Sequence, residues 1–549
     1  MRIGLLTEGG YPYATGESRL WCDRLVRGLA PHEFDLYALS RSARQEESGW
    51  VDLPPQVRRV RTAPLWAPED DGRTHGRRER RRFAGHFGAL VTGICAEDDT
   101  LPSFAGDIPD AARSFADGLY GLAELARERG GLYAALRSEL AVRTLESACH
   151  APGARRGVAE ATVPDYLAFV DHLERALRPL SLDWYGEDGL GAVDLCHAAS
   201  GGSAALPGLL AKRFFGTPLL VTEYGVQLRA HYLAAIDAPL SAPVRALLAA
   251  FHGRLAAEVY QQAALLTPGN THARRWQEKC GADRAKLRTV YPGMESERFT
   301  EVGEDEESGD PATLVWVGRV EPAKDLIALL HAFAEVRKEQ PDVRLRITAA
   351  PVREPGADAY LAHCRALAAQ LFPDEAAGAH EVGENPVTFE EIGGPEAPTL
   401  ADAYAAGAVV VLSSVVEGFP ISLVEAMFCA RATVSTDVGA VVEVIGGTGL
   451  VVPPRNPRAL ADACLALLRD PERRYRLGAA ARARALELFT VEQNLAAFRG
   501  IYLELLSHSP VRRRGAEGVP FAHPAEAYVP GAWADQPVSA AAGAGDPDA

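Results

Sequence analysis

Short runs of Val, Leu and Ile recur along this chain, each ending in a turn and followed by an amphipathic helical repeat. They do so in two separate stretches. In the first, RIGLLT at 2–7 leads into a glycine-rich turn. A helical pattern over 17–30 follows, with Leu20, Trp21, Leu25 and Leu29 on one side, and then FDLYAL at 34–39. Apolar runs of this length alternating with helices are what a parallel sheet covered on both faces requires. The rhythm breaks at about 41. From there to about 190 the chain is rich in Arg, Ala and Glu, with helical patterns near 111–146 and 156–178, and reads as a helical insertion. Strand-like runs resume at 193–197 (VDLCH), 218–223 (PLLVTE), 264–267 and 287–291 (LRTVY).

An acidic segment with Gly and Pro and almost no large apolar residues, TEVGEDEESGDPAT, separates the two stretches. Such composition suits a linker, placed here at 300–312. The second stretch has strand-like runs at 313–318, 343–349, 408–413, 432–436 and 449–452, with helical patterns between them. The expected organisation is a first α/β domain over 1–299 and a second over 313–489. A helix at 490–507 crosses back to the first domain, and a disordered tail rich in Ala, Gly and Pro covers 508–549. Open parallel sheets bind ligands at the carboxyl ends of their strands, so chemistry is expected just after strands.

The net charge of −16 argues against a general nucleic-acid binder, which needs a basic face. The eight cysteines are scattered with no Cys-x-x-Cys pair, which suits a reducing cytosol. The apolar run before Glu8 is too short for a signal peptide, and no run approaches a membrane span. A cytoplasmic protein is expected, with peripheral association at the inner membrane face left open. RRERRR at 77–82 reads as a solvated helix or loop.

Residues 409–445, VVVLSSVVEGFPISLVEAMFCARATVSTDVGAVVEVI, carry the strongest signal. A buried strand ends at Ser413 and Ser414, and a loop presents Glu417, Gly418 and Phe419. Pro420 can then start a helix without losing a helical hydrogen bond. The N–H groups of Ile421, Ser422 and Leu423 are expected to lack intrahelical partners there, making that end an anion site. Glu425 can accept two hydrogen bonds from a ribose diol, and Glu417 can reach a sugar. In VGRVEPAKD, 317–325, Gly318 ends a strand and Arg319 and Lys324 flank the following turn. A departing nucleoside diphosphate gathers negative charge, and fixed cations stabilise it.

These segments resemble two motifs of the family 4 retaining glycosyltransferases. Glu417 and Glu425 stand as the Glu-x7-Glu pair, and Arg319 and Lys324 as the Gly-Arg-(x)4-Lys diphosphate clamp. In the N-terminal half, EGGYPYATGESRLW (8–21) and DLCHAASGGSAALPGLLAKRFFGTPLLVTEYGVQLR (194–229) resemble the bacterial Pel-type exopolysaccharide enzymes, which carry a helical N-terminal insertion. The resemblance implies a GT-B fold: α/β, with two doubly wound Rossmann-like domains facing a central cleft and a helical insertion in the first. Gly16 is implied on the donor side, with Glu17 where the family has a second glycine. The family's Thr-Glu-His-Gly reads Thr222-Glu223-Tyr224-Gly225, a tyrosine replacing a histidine. His197, Glu223, Tyr224 and Arg229 are candidates for the acceptor side.

The resemblance implies transfer of a hexose from a nucleotide sugar, UDP-glucose first among them, to a glycan or other hydroxyl acceptor. Exopolysaccharide or glycoconjugate synthesis is the expected setting, with a membrane polysaccharide synthase as a possible peripheral partner. No metal pattern such as Asp-x-Asp or His-x-x-x-His stands in a convincing context, so no metal or cofactor is expected besides the donor substrate. The alternatives are a non-catalytic nucleotide-sugar-binding subunit of an assembly system, a glycoside hydrolase using Glu417 and Glu425, and a nucleotide-sugar epimerase of the same fold.

Overall fold

The computed structural model describes residues 1–14, 19–67, 69–97, 110–186, 188–237, 239–304, 309–350, 357–373 and 385–508. The first sheet contains β1 (Arg2–Glu8), β2 (Glu33–Ser40), β3 (Val57–Pro64), β4 (Leu195–Ala198), β5 (Leu219–Glu223) and β6 (Leu265–Pro268). Its order is β3-β2-β1-β4-β5-β6, and every pairing is parallel. The second contains β7 (Asp310–Gly318), β8 (Arg344–Ala349), β9 (Val387–Glu391), β10 (Gly407–Leu412), β11 (Ala432–Thr436) and β12 (Leu450–Val452). Its order, β12-β11-β10-β7-β8-β9, is again wholly parallel. Each sheet reverses direction once beside its first strand, which opens a crevice at the carboxyl ends. Two such domains make a GT-B fold.

The period of two along each strand divides the core between faces. Leu314 and Trp316 of β7 pack with Val409 and Val411 of β10 on one side. Val315 and Val317 pack with Val410 and Leu412 on the other. In the first sheet Leu6, Tyr37 and Leu39 join the helices that include Arg77–Cys95 and Asp110–Arg129. Ile3, Leu5 and Phe34 face the opposite way.

That second face is closed by helix Val491–His508, whose Phe498, Ile501, Tyr502 and Leu505 pack against Trp21 and Leu25. Helix Val491–His508 thus packs on the first sheet. In RRERRR, Arg82 meets Glu128 at 2.7 Å and Arg80 binds the His75 carbonyl at 3.1 Å. Among the described residues no helix is long and apolar enough to cross a membrane.

Four details differ from the sequence reading, the first being β9, which falls where no strand was read. β3 lies inside the range read as helical, so the first sheet extends past residue 41. LRTVY at 287–291 forms no strand and makes a single bridge, Leu287 to Leu266. The acidic segment begins with a short helix, Thr300–Glu304, and its residues 305–308, like 509–549, lie outside the described residues.

Candidate active site

β7 ends at Gly318, and the next turn is tightly formed. Pro322–Lys324 make a 3-10 turn, and Asp325 takes a left-handed conformation at φ 47°. Non-glycine residues adopt that region at a cost, and Asp offsets it by local hydrogen bonding. Asp325 then caps helix Leu326–Glu339 by accepting from the Ala328 N–H at 3.2 Å. The turn is stitched to the loop after β10: the Val415 N–H donates to the Ala323 carbonyl at 2.8 Å, and Ser413 Oγ donates to the Lys324 carbonyl at 2.7 Å.

This stitching brings the Lys324 ammonium onto Glu417 Oε1 in a part-buried ion pair. Ser414 Oγ donates to the same oxygen at 2.7 Å. Gly439, at φ 56°, lies behind the loop, where an added Cβ would fall 2.4 Å from the Glu417 carbonyl oxygen. The Ala440 N–H binds the Gly418 carbonyl at 3.1 Å. A cation and a carboxylate are thus held together at the carboxyl ends of two neighbouring strands. Arg319 is in the same turn but more exposed, its guanidinium 3.7 Å from Glu321.

Pro420 occupies the cap position of helix Ile421–Phe428 and not its first turn. The Ile421 N–H bonds the Phe419 carbonyl at 3.0 Å, and the Leu423 N–H bonds the Pro420 carbonyl at 3.1 Å. Two of the three N–H groups expected to be open are therefore engaged. Phe419 packs near Phe489, with centroids 5.7 Å apart.

Glu425, partly buried on the same helix, accepts a 2.8 Å hydrogen bond from Tyr404. Burial pushes its carboxyl up to about 7, with Tyr404 and then Arg298 pulling the other way. Burial and the Glu425 charge push the Tyr404 hydroxyl well up, so it stays a donor. Among the described residues no hydrogen bond links Glu425 to the Lys324–Glu417 pair.

The acceptor-side candidates are placed differently from one another. His197 is fully buried, its Nδ1 2.7 Å from the Tyr502 hydroxyl and its Nε2 2.7 Å from Thr222 Oγ1. Burial lowers it to about 3, so it is a neutral core residue with both ring nitrogens engaged. Glu223 is buried too, accepting from Gly201 N–H (3.0 Å), Gln227 N–H (3.2 Å), Tyr260 (2.6 Å) and Gln277 (2.8 Å). Saturated in this way, it braces the loops after β4 and β5. The Tyr224 hydroxyl accepts from Asn494 Nδ2 at 2.9 Å, and its ring meets Trp21 edge-on. Arg229 is half-buried on helix Gln227–Asp237. Gly16 and Glu17 lie outside the described residues.

Glu443, on the short helix Val441–Ile445, carries no motif, and the sequence reading missed it. One of its oxygens accepts from the Thr271 N–H at 2.7 Å and Thr271 Oγ1 at 2.6 Å, and the other from the Tyr291 hydroxyl at 2.8 Å. Thr271 follows β6, so this carboxylate ties the first domain to the second.

A family model described as "Domain of unknown function (DUF3492)" matches residues 1–285. The chain belongs to that family. A second model, "Glycosyl transferases group 1", matches residues 311–470, which hold the Lys324–Glu417 pair. The D-inositol 3-phosphate glycosyltransferase of Kribbella flavida is 33% identical over 233 residues, 40% of this chain and 52% of that protein. The chain thus spans about half the length of that curated relative.

Among solved structures, Anabaena Alr3699/HepE in complex with UDP has a TM-score of 0.53 at 14% identity, covering 92% of this chain and all of that one. The sucrose-phosphate synthase of Thermosynechococcus elongatus has the same TM-score at 17% identity and 92% coverage. At such identities the likeness speaks for the fold, which is the GT-B fold of these enzymes.

Proposed function

We propose that this chain is a retaining glycosyltransferase that moves a hexose from a UDP-sugar, UDP-glucose first among them, to a hydroxyl of a glycan or other acceptor. The Lys324–Glu417 ion pair carries the reading. It sets a cation and a carboxylate side by side at the carboxyl edge of the second sheet. The match to group 1 glycosyl transferases over the same residues supports it, as does the UDP named with the Anabaena structure.

When the donor binds, Lys324 leaves Glu417 for the diphosphate, with Arg319 swinging in beside it. Glu417 then meets the hexose hydroxyls and Glu425 the ribose. The bond from the anomeric carbon to the diphosphate oxygen breaks as the acceptor oxygen bonds that carbon on the same face. The acceptor's proton passes to the departing diphosphate. The two cations are worth more to the separated charge than to the intact donor, and only that difference accelerates the reaction. The reading assigns the leaving group's charge to side chains and needs no metal or further cofactor. It places the product in exopolysaccharide or glycoconjugate synthesis at the inner membrane face.

A thermal-shift screen of UDP-, GDP- and ADP-sugars, followed by UDP release with hydroxyl acceptors, tests it. A ligand bound only by the folded state raises the melting point by mass action. A rise with UDP-sugars that Lys324→Ala abolishes supports the reading, and activity indifferent to Lys324→Ala and Arg319→Ala overturns it. A second reading, a non-catalytic nucleotide-sugar-binding subunit, is favoured by Tyr224, whose hydroxyl is held by Asn494 where the family has a histidine. Donor binding with no UDP released to any acceptor or to water selects it.

A further inference from the structure

A group of cations in the first domain stands outside the proposed donor site, one of them, Lys279, with its ammonium over the Trp276 ring at 5.9 Å. Helix Thr271–Lys279 starts just after β6, and its first residue meets Glu443 of the second domain, so its N-terminal turn borders the junction of the domains. His272, Arg275 and Lys279 recur along one side of it at helical spacing. The segment leading into helix Gln227–Asp237 packs on it, Val226 and Leu228 sharing a cluster with Ala273 and Trp276. That contact sets Arg229 beside the same side. His272 is lowered by burial and then by Arg229, Arg275 and Lys279 in turn.

Among the described residues none of these three cations has a carboxylate partner, whereas Arg274 on the same helix is paired with Glu278 at 3.2 Å. His272 Nε2 is buried without a hydrogen-bond partner. Like charges on one helical side repel, and a bound anion removes that repulsion. Two guanidinium groups and an ammonium suit the several oxygens of a phosphate.

We infer that Arg229, His272, Arg275 and Lys279 form a subsite for a phosphate monoester carried by the acceptor. The inference rests on the transferase reading, since it names the acceptor class for that reaction. The acceptor is then a phosphorylated sugar or polyol, which a kinase or phosphotransferase must supply.

Calorimetric titration of the full chain with UDP present tests it, using glucose, glucose 6-phosphate and inorganic phosphate as probes. Glucose 6-phosphate is expected to bind more tightly than glucose by about tenfold or more, the scale of one charged hydrogen bond, and more tightly than inorganic phosphate. Arg229→Ser/Arg275→Ser/Lys279→Ser is expected to remove that preference while keeping the UDP-induced thermal shift. Lys279→Arg, which keeps the charge, is expected to retain it. Equal binding of glucose and glucose 6-phosphate, tighter binding of inorganic phosphate, or an unaffected triple variant overturns the inference. If UDP itself fails to bind, the donor reading falls separately.

Discussion

The Tyr404 hydroxyl donates a 2.8 Å hydrogen bond to Glu425 Oε2, on a carboxyl that burial holds up at about 7 against an ordinary 4.5. Between those values the folded protein keeps a proton that the unfolded chain has lost. Stability from this group is full below the unfolded value and is lost as pH rises through the folded one. Donor binding runs the other way. An ionised carboxylate accepts both hydroxyls of a ribose diol, so UDP affinity is expected to rise from about pH 6 to about pH 8. Tyr404→Phe removes a bond that lowers Glu425 and moves that midpoint upward. Calorimetric UDP titrations across the range check this, and the same slope in Glu425→Gln would count against it.

Lys324 and Glu417 hold one another, so their variants are coupled. On the proposed transferase reading, Lys324→Ala removes a charged hydrogen bond to the diphosphate worth about 1.5–3 kcal/mol. The expected loss in kcat/KM is therefore roughly 10- to 150-fold. It also leaves Glu417 with Ser414 as its one remaining side-chain partner among the described residues, so the melting point falls somewhat. The Lys324→Ala/Glu417→Ala double variant is expected to lose less stability than the sum of the singles. Thermal melts of the three proteins, with steady-state kinetics, decide the matter, and additive stability losses would contradict the coupling.

Much of this architecture was legible from period and punctuation. The interior strands β7 and β10 are continuous apolar runs, and both motif residues of the ion pair follow them directly. The strands that escaped, β3 and β9, are both sheet edges. β3 carries Arg58, Arg59 and Arg61, and Arg61 reaches the Asp183 carbonyl at 2.8 Å. In β9, Glu390 pairs with Arg346 at 2.6 Å. Charge on an edge strand blunts unwanted pairing, and the same charge hides it from a hydrophobicity reading. His197 shows a different limit. Its place at the end of a strand-like run suggested a site, but it lies within β4 and its partner Tyr502 is 305 residues away, and no local pattern reveals that. Glu443 was invisible for the same reason, since its partners Thr271 and Tyr291 lie in the other domain.

Gly439 has no freedom to carry a side chain. An added Cβ would sit 2.4 Å from the Glu417 carbonyl oxygen, and its φ of 56° disfavours other residues. Gly439→Ala is expected to displace the Glu417 loop, lowering kcat more than a surface substitution while costing about 1 kcal/mol or more of stability. Kinetics paired with chemical denaturation measure both, and an unchanged kcat would show the loop to be indifferent to its backing.

Glu443 joins the domains through three hydrogen bonds, from Thr271 N–H, Thr271 Oγ1 and the Tyr291 hydroxyl. Burial and then the Glu443 carboxylate raise the Tyr291 hydroxyl to about 12, so it remains a donor at neutral pH. Each domain has its own core, so Glu443→Ala is expected to leave the folds intact and loosen their junction. Small-angle scattering should show a larger radius of gyration, and KM for the donor should rise with little change in melting point. An unchanged radius with unchanged KM would mean that the domains are held by other contacts.

His197 makes the fold sensitive to acid. Buried and lowered to about 3 from an ordinary 6.5, it remains neutral in the folded protein while the unfolded chain's imidazole takes up a proton below the ordinary value. Its contribution to stability is therefore complete above about pH 6.5 and is lost progressively as pH falls toward 3. The bonds to Tyr502 and Thr222 use both ring nitrogens, and one of them anchors the helix that crosses back from the second domain. His197→Phe leaves those two hydroxyls short of a partner, at about 1–3 kcal/mol. The variant should melt lower than the parent at neutral pH, yet lose less further stability on acidification. Its donor-induced shift at neutral pH should persist, because Lys324, Glu417 and Glu425 lie in the other domain. Equal acid slopes in parent and variant would move the origin of the acid sensitivity to other groups.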